Sequence, residues 1–133
     1  MSDRSRSAVS ALIELQCRGC DHPVPIVEIA EKRGIALHVL EQLFASLRRA
    51  GILKSQRGVR GGYSFARDAG DITVLDVIEC IDGPLRPAAD APAAGECIWT
   101  DARAALSAQL NATSIADLAD REAQASGNLM FHI

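Results

Sequence analysis

The spacing of apolar residues predicts three helices in the first fifty positions. One amphipathic segment covers about residues 7–18, a shorter one begins near Ile26, and a third covers residues 36–50. Gly34 lies between the second and the third, where a tight inter-helix turn favours a residue that adopts left-handed backbone at little cost. A short helix, a glycine-centred turn and a longer helix predict a helix-turn-helix unit, whose second helix would enter the major groove of DNA. A plain helical hairpin without a ligand is the alternative.

Two strand-like runs follow, at residues 52–57 and 63–65, and the glycine-rich segment between them predicts a hairpin turn that contains Arg60. A helix-turn-helix followed directly by a basic hairpin predicts a winged helix. The cations of such a wing can bind phosphates or the minor groove. A phosphate-binding loop for nucleotides is excluded, because no Gly-Lys-Ser/Thr follows and the segment lies between strands rather than before a helix.

The second half of the chain is predicted to be helical on either side of an irregular segment. Thr73 and Asp76 have the spacing of a capping box at the start of a fourth helix. An Ala/Pro-rich stretch without periodicity predicts a linker loop. A long helix is expected from Ile98 to about Leu110, and a short one from Ile115 to about Arg121. The chain is therefore divided into a helix-turn-helix and hairpin domain, a loop and a helical C-terminal part, at residues 1–83, 84–97 and 98–133.

The overall charge argues against a nucleic-acid partner, but its distribution does not. The 133 residues have a formal net charge of −3, 48% hydrophobic content and no apolar run long enough to span a membrane. Through Arg67 there are 11 basic and six acidic residues, and after it three basic and 11 acidic residues. No acid lies between Arg48 and Arg67. A basic half of this kind indicates phosphate binding, and a solvated basic face without a partner is the alternative.

The motifs Leu40-Glu41-Gln42-Leu43, Arg57-Gly58 and Gly61-Gly62-Tyr63 resemble those of the bacterial winged-helix regulators that include IscR, NsrR and CymR. The similarity continues through Trp99 to the segment Ile115-Ala116-Asp117-Leu118 and so covers nearly the whole chain. It is strongest to the CymR-like branch of cysteine-metabolism repressors. It implies a mainly α fold with a small β-hairpin wing. It also implies a homodimer, held by a long C-terminal dimerisation helix, on a partly palindromic operator in double-stranded DNA.

Carried over by position, the resemblance places Glu41 and Gln42 at the major groove and Arg57 of the wing at the groove or the backbone. At His38 and Val39 the chain departs from many members, which carry small polar and aromatic residues there. The predicted set of DNA-binding residues on the third helix and the wing is His38, Val39, Glu41, Gln42, Arg48, Arg57, Arg60 and Gly61. Glu41 can accept a hydrogen bond from cytosine N4 and so penalise other bases. The alternative for Glu41 is an ion pair with Arg48 or another cation.

The cysteines leave several interpretations open. Cluster-binding members of the family carry three cysteines in the loop before the dimerisation helix, where this chain has only Cys97, so no iron–sulfur cluster is firmly predicted. A cluster with unusual ligands shared between subunits stays open. Cys17 and Cys20 form a C-x-x-C pair that could be a redox dithiol or inert, and Arg18 could lower a thiol pKa. Metal binding at this pair is disfavoured, and no metal site is predicted.

The segment Phe131-His132-Ile133 resembles the C-terminus of the CymR-like branch, whose members form a complex with cysteine synthase. The hypothesis is that Ile133 and its carboxylate dock in that enzyme. The alternative is that the segment packs on its own dimer.

Together these features predict a cytoplasmic, sequence-specific DNA-binding transcriptional regulator, a repressor of sulfur and cysteine genes. One alternative is a redox-sensing or iron–sulfur-sensing regulator, and another is a winged-helix interaction module that binds no DNA. An enzyme is not expected, because no paired carboxylates or Ser/His/Asp grouping is evident.

Overall fold

The computed structural model of the protein describes residues 2–19, 22–84 and 96–131. Its architecture is mainly helical with one small antiparallel hairpin, which confirms the fold class expected from the sequence. The elements are α1 (Asp3–Cys17), α2 (Ile26–Arg33), α3 (Leu37–Arg49), β1 (Leu53–Gln56), β2 (Gly62–Phe65), α4 (Val74–Asp82), α5 (Glu96–Asn111) and α6 (Ile115–Phe131), with one 3-10 turn at Ala69–Asp71.

The helix-turn-helix formed by α2 and α3 is built on a continuous apolar core. Gly34 ends α2 with a φ of +65°, the left-handed conformation that the turn requires. The inner face of α3 is fully buried and packs with the inner face of α1. The buried residues of these two faces are Ala8, Ala11, Leu12, Leu15, Leu40, Leu43, Phe44 and Leu47.

The hairpin is fixed to α3 and to the segment before α2. Strands β1 and β2 pair antiparallel, with Gln56 opposite Gly62. Val24 pairs with Tyr63 through two backbone hydrogen bonds of 2.9 Å each. The ring of Tyr63 also meets Phe44 of α3 edge-on, with the ring centroids 5.0 Å apart. These contacts fix the position of the hairpin relative to the helix-turn-helix.

The first residue of α4 and the first residue of α6 each donate a backbone hydrogen bond to the segment that precedes the other helix. Val74 donates to the carbonyl of Thr113, and Ile115 donates to the carbonyl of Ile72, both at 2.9 Å. The predicted capping box of Thr73 and Asp76 is confirmed, with both reciprocal hydrogen bonds present.

The C-terminal helix α6 packs against α1, and its Ile115 belongs to the central core. The prediction of a short helix that ends near Arg121 is wrong, because α6 continues to Phe131. α1 also begins earlier than predicted, at Asp3, because the Ser2 hydroxyl caps it by accepting from the Ser5 amide at 3.1 Å. The division of the chain at residues 84–97 stays a prediction, and most of that loop lies outside the described residues. In the ranges described, no helix combines the length and apolarity of a membrane span.

Candidate nucleic-acid interface

The outward face of α3 carries most of the residues expected to contact DNA bases. His38, Glu41 and Gln42 are exposed on the side of the helix opposite the buried stripe, and Arg48 lies exposed near its C-terminal end. Side chains that leave a recognition helix in this direction are free to enter a major groove.

Val39 and Leu37 differ from the expectation for this helix. Val39 is half-buried and packs against the core, so its side chain has limited access to a ligand. Leu37, which the sequence analysis did not single out, is 39% exposed at the first position of α3. An apolar side chain there is suited to contact a thymine methyl group. The exposure of Leu37 could have been expected from its position at the start of the helix, since no preceding helical turn covers it.

The tip of the wing is a tight turn. The Gly61 amide donates to the Gly58 carbonyl at 2.9 Å, which leaves Val59 and Arg60 as the two central residues of the turn. Val59 is fully exposed, and Arg57 and Arg60 are exposed beside it. Within the described parts of the chain, neither arginine has a carboxylate partner. Their charges are therefore open to phosphate.

Gly61 and Gly62 are required by the packing of the wing itself. A Cβ on Gly61 would lie 2.4 Å from the Gln56 carbonyl oxygen. A Cβ on Gly62 would lie 2.3 Å from the Val24 carbonyl oxygen, which is the acceptor of the bond that fixes the wing. Gly61 therefore has an internal reason to be glycine, whether or not its backbone also meets DNA.

Arg48 joins α3 to the wing rather than to Glu41. Its Nη1 donates to the Ser55 hydroxyl of β1 at 3.2 Å. Glu41 has no ion-pair partner among the residues described, so the alternative of a Glu41–Arg48 pair is not formed. The carboxylate of Glu41 is left free to act on a ligand.

The basic residues of the first half divide into two groups. Arg18 and Arg33 are neutralised within the protein, since both donate to the buried carboxylate of Glu14, at 2.8 and 3.1 Å. Arg33 is also bonded to Glu122 of α6. Arg67 is also near a carboxylate, that of Asp76, at 3.9 Å. Of the eight basic residues of this half without a carboxylate partner in the described structure, three lie on α1 and α2, and five lie together on the C-terminal end of α3 and on the wing: Arg48, Arg49, Lys54, Arg57 and Arg60. This is the arrangement of a phosphate-binding surface.

Cys17, at the end of α1, lies in an environment that suppresses its thiolate. Burial raises its pKa, and the carboxylates of Glu122 and Glu14 raise it further, against the opposing effect of Arg33. For Cys17 the expected lowering of the thiol pKa by Arg18 is not found, because that pKa is raised and Arg18 is bonded to Glu14 and Glu28 instead. Cys20 lies outside the described residues.

Among the described residues, the thiols of Cys80 and Cys97 are not placed together as cluster ligands. Cys80 packs against the core, and its Sγ donates to the Ser46 carbonyl at 3.6 Å. Cys97 is exposed at the start of α5. The described residues contain no group of three or more His, Cys, Asp or Glu side chains placed to hold a metal ion. The segment Phe131-His132-Ile133, expected to bind a partner, cannot be placed, because the side chain of Phe131 and all of His132 and Ile133 lie outside the described residues.

A helix-turn-helix with an exposed recognition face, continued by a cationic wing, defines the winged-helix class of DNA-binding proteins. The family model described as "Rrf2: Iron-dependent Transcriptional regulator" matches residues 1–121. The chain belongs to this family of transcriptional regulators, which confirms the resemblance seen in its motifs.

Individual relatives agree with this assignment. The transcriptional regulator IscR of Photobacterium profundum is 35% identical over 127 residues, which cover 89% of this chain and 74% of the relative. The structure of CymR, the global cysteine regulator of B. subtilis, is similar with a TM-score of 0.84 and 33% identity, over 91% of this chain and 96% of that chain. The structure of T. potens IscR gives a TM-score of 0.83 and 32% identity, over 94% and 89%. The protein is thus a DNA-binding transcriptional regulator and not an enzyme.

Proposed function

We propose that this protein is a repressor of sulfur and cysteine-metabolism genes, which binds a partly palindromic operator as a homodimer in the cytoplasm. The observation that carries the proposal is the similarity to the global cysteine regulator CymR, which extends over almost the full length of both chains. The cysteine set supports it, because three thiols close together would be expected of a cluster sensor around the start of α5, and residues 84–97 contain only Cys97.

The proposed dimer rests on the exposed apolar face of α5. Ile98 and Trp99 are 63% and 62% exposed, and Leu106 is 38% exposed on the same helix. Large apolar side chains grouped in this way favour burial against a partner, and a two-fold axis would present the same face of each copy to the other. Trp99→Ser should weaken the dimer, which sedimentation equilibrium would detect as a rise in the monomer fraction at low micromolar concentration.

Selection of bound duplexes from a random library, followed by genomic footprinting, tests the function. We expect a palindromic site with half-sites about one helical turn apart, located upstream of genes for sulfur uptake or cysteine synthesis. Sites confined to genes of iron–sulfur assembly would contradict the proposed regulon. Arg57→Ala combined with Arg60→Ala should reduce the slope of log affinity against log salt by about two if each arginine neutralises one phosphate.

A second candidate, an iron–sulfur-sensing regulator, is favoured by the sequence similarity to IscR. Its ligands would have to come from two subunits or from residues other than a cysteine triad. Purification without oxygen distinguishes the candidates. A colourless protein supports the sulfur regulator, and a brown protein with thiolate-to-iron absorption bands supports the cluster.

Cysteine synthase is the proposed effector partner, through the segment Phe131-His132-Ile133 that resembles the CymR-like branch. Removal of these three residues should abolish binding to the enzyme in a titration calorimetry experiment. Unchanged affinity would contradict the docking of this segment and would leave the alternative that it packs on its own dimer.

A further inference from the structure

We propose that Val59 makes the wing select A·T over G·C base pairs in the minor groove of the operator. This inference rests on the DNA-binding role of the wing and adds a specificity-determining residue to it. It concerns a side chain that neither the charge pattern nor the resemblance assigns to DNA.

The position of Val59 is unusual for an apolar residue. The hydrogen bond from Gly61 to Gly58 places it at the outermost point of the wing, where its side chain is completely exposed. Other large apolar side chains exposed in the described structure are more covered, Ile98 being the next at 63%. The turn closes without a hydrophobic contact from Val59, so its apolar character is not explained by the stability of the wing.

The surroundings of Val59 specify the chemistry of its partner. Arg57 and Arg60 lie on either side of it, and no acidic residue occurs between Arg48 and Arg67. A partner suited to this tip combines dense negative charge with an apolar recess. The minor groove has this form, since phosphates line its rims and the sugars form apolar walls. A narrow groove over A·T pairs also has the negative potential that attracts arginine.

An apolar tip on the floor of this groove distinguishes base pairs by a single group. A·T and T·A pairs present only acceptors there, whereas a G·C pair adds the guanine N2 amino donor. The methyl groups of Val59 cannot accept a hydrogen bond, and they displace the water that would do so. A buried donor without an acceptor is costly, so a G·C pair under the wing tip should be rejected.

Inosine provides the direct test, because an I·C pair keeps the major-groove groups of G·C but lacks the minor-groove amino group. The base pairs under the wing are first located on the selected operator by hydroxyl-radical footprinting. Replacing an A·T pair there with G·C should weaken binding about tenfold, and replacing it with I·C should restore affinity to within about twofold. An I·C pair that binds as weakly as G·C would overturn the proposal, as would a wing that covers no A·T pair.

The variant Val59→Thr keeps the shape of the side chain but adds a hydroxyl that can accept from guanine N2. It should reduce the G·C penalty from about tenfold to about threefold or less. The matched control is Val27→Thr, because Val27 is a half-exposed valine on α2, outside the wing, and its substitution should leave the penalty unchanged. A full penalty in Val59→Thr would contradict the assignment.

The outcomes separate this inference from the function on which it rests. If random selection returns no specific duplex, both fail. If the wild-type protein binds a specific operator but the G·C penalty is independent of Val59, only the role of Val59 fails. Thermal unfolding of each variant confirms that the fold is intact, which is expected because both valines are outside the core.

Discussion

Arg33 and Glu122, 89 positions apart in the sequence, are joined by two parallel hydrogen bonds. Nη1 and Nη2 of Arg33 donate to the two carboxylate oxygens of Glu122, at 3.1 and 2.7 Å. The Nε of the same guanidinium donates to Glu14 of α1 at 3.1 Å. Burial alone would lower the pKa of Arg33, but the bonds and charges of Glu122 and Glu14 outweigh it and raise that pKa. One side chain of the helix-turn-helix thus connects α2 with both α1 and α6.

Removing this guanidinium should destabilise the protein more than removing the charge of one partner. Arg33→Ala leaves the buried Glu14 with Arg18 alone, and we expect the free energy of unfolding to fall by about 2–3 kcal/mol. Glu122→Gln should cost about 0.5–1 kcal/mol, because the side chain of Glu122 is 43% exposed and its charge is screened. Urea unfolding followed by circular dichroism measures both. Equal losses in the two variants would contradict the central role of Arg33.

The same carboxylates should keep Cys17 slow to react. Its raised pKa leaves little thiolate at neutral pH, so alkylation by iodoacetamide should be slower than in the urea-unfolded chain. Glu122→Gln removes a charge that raises the pKa and should accelerate the reaction by about twofold or more. Mass spectrometry of the peptide that contains Cys17 gives the rate. Glu41→Gln removes a carboxylate from a different helix and serves as the control. Fast alkylation of the wild-type thiol at pH 7 would restore Cys17 as a redox candidate.

Gly62 should be the least replaceable glycine of the wing. Its φ is +156°, and a Cβ would lie 2.3 Å from the Val24 carbonyl oxygen, so Gly62→Ala must separate the wing from the segment before α2. We expect a loss of about 2–3 kcal/mol of folding free energy. Gly58→Ala is the matched control. Gly58 also has positive φ, at +112°, but a Cβ there would meet no atom within 4 Å, and its cost should be about 1 kcal/mol. A smaller loss of folding free energy for Gly62→Ala than for Gly58→Ala would show that the close approach to Val24 does not determine the cost of the substitution.

The elements that the sequence predicted well are those with local causes. The turn at Gly34 and the capping box of Thr73 and Asp76 depend on residues at most three positions apart, and both have the expected form. The wing follows from a glycine-rich segment between two short strands. Local chemistry of this kind can be recognised without knowing the tertiary structure.

The features that the sequence did not predict depend on distant contacts. The second half of α6 has few apolar residues in a regular pattern. α6 as a whole packs against α1, and Glu122, the first residue past the predicted end of the helix, pairs with Arg33. The raised pKa of Cys17 also has a distant cause, because burial and then the carboxylate of Glu122, which lies on α6, are its two largest causes. On α3, the core covers Val39 and leaves Leu37 exposed in the first turn. Which of these two apolar side chains faces solvent therefore depends on tertiary packing.

Glu41 should contribute discrimination between sequences rather than affinity. Its carboxylate is exposed on the outward face of α3 and has no ion-pair partner in the described structure, so near DNA it is repelled by phosphate. A hydrogen bond from cytosine N4 offsets that repulsion only at the correct base pair. Glu41→Ala should therefore bind non-specific duplexes more tightly and lose about 1–3 kcal/mol of preference for the selected operator at one base pair in each half-site. Fluorescence anisotropy on the operator, on a single-pair variant and on a scrambled duplex measures this at fixed salt. Gln42→Ala is the matched control, because it alters the same face without changing its charge. If Glu41→Ala weakened binding to all three duplexes equally, the residue would act on the position of α3 rather than on the base.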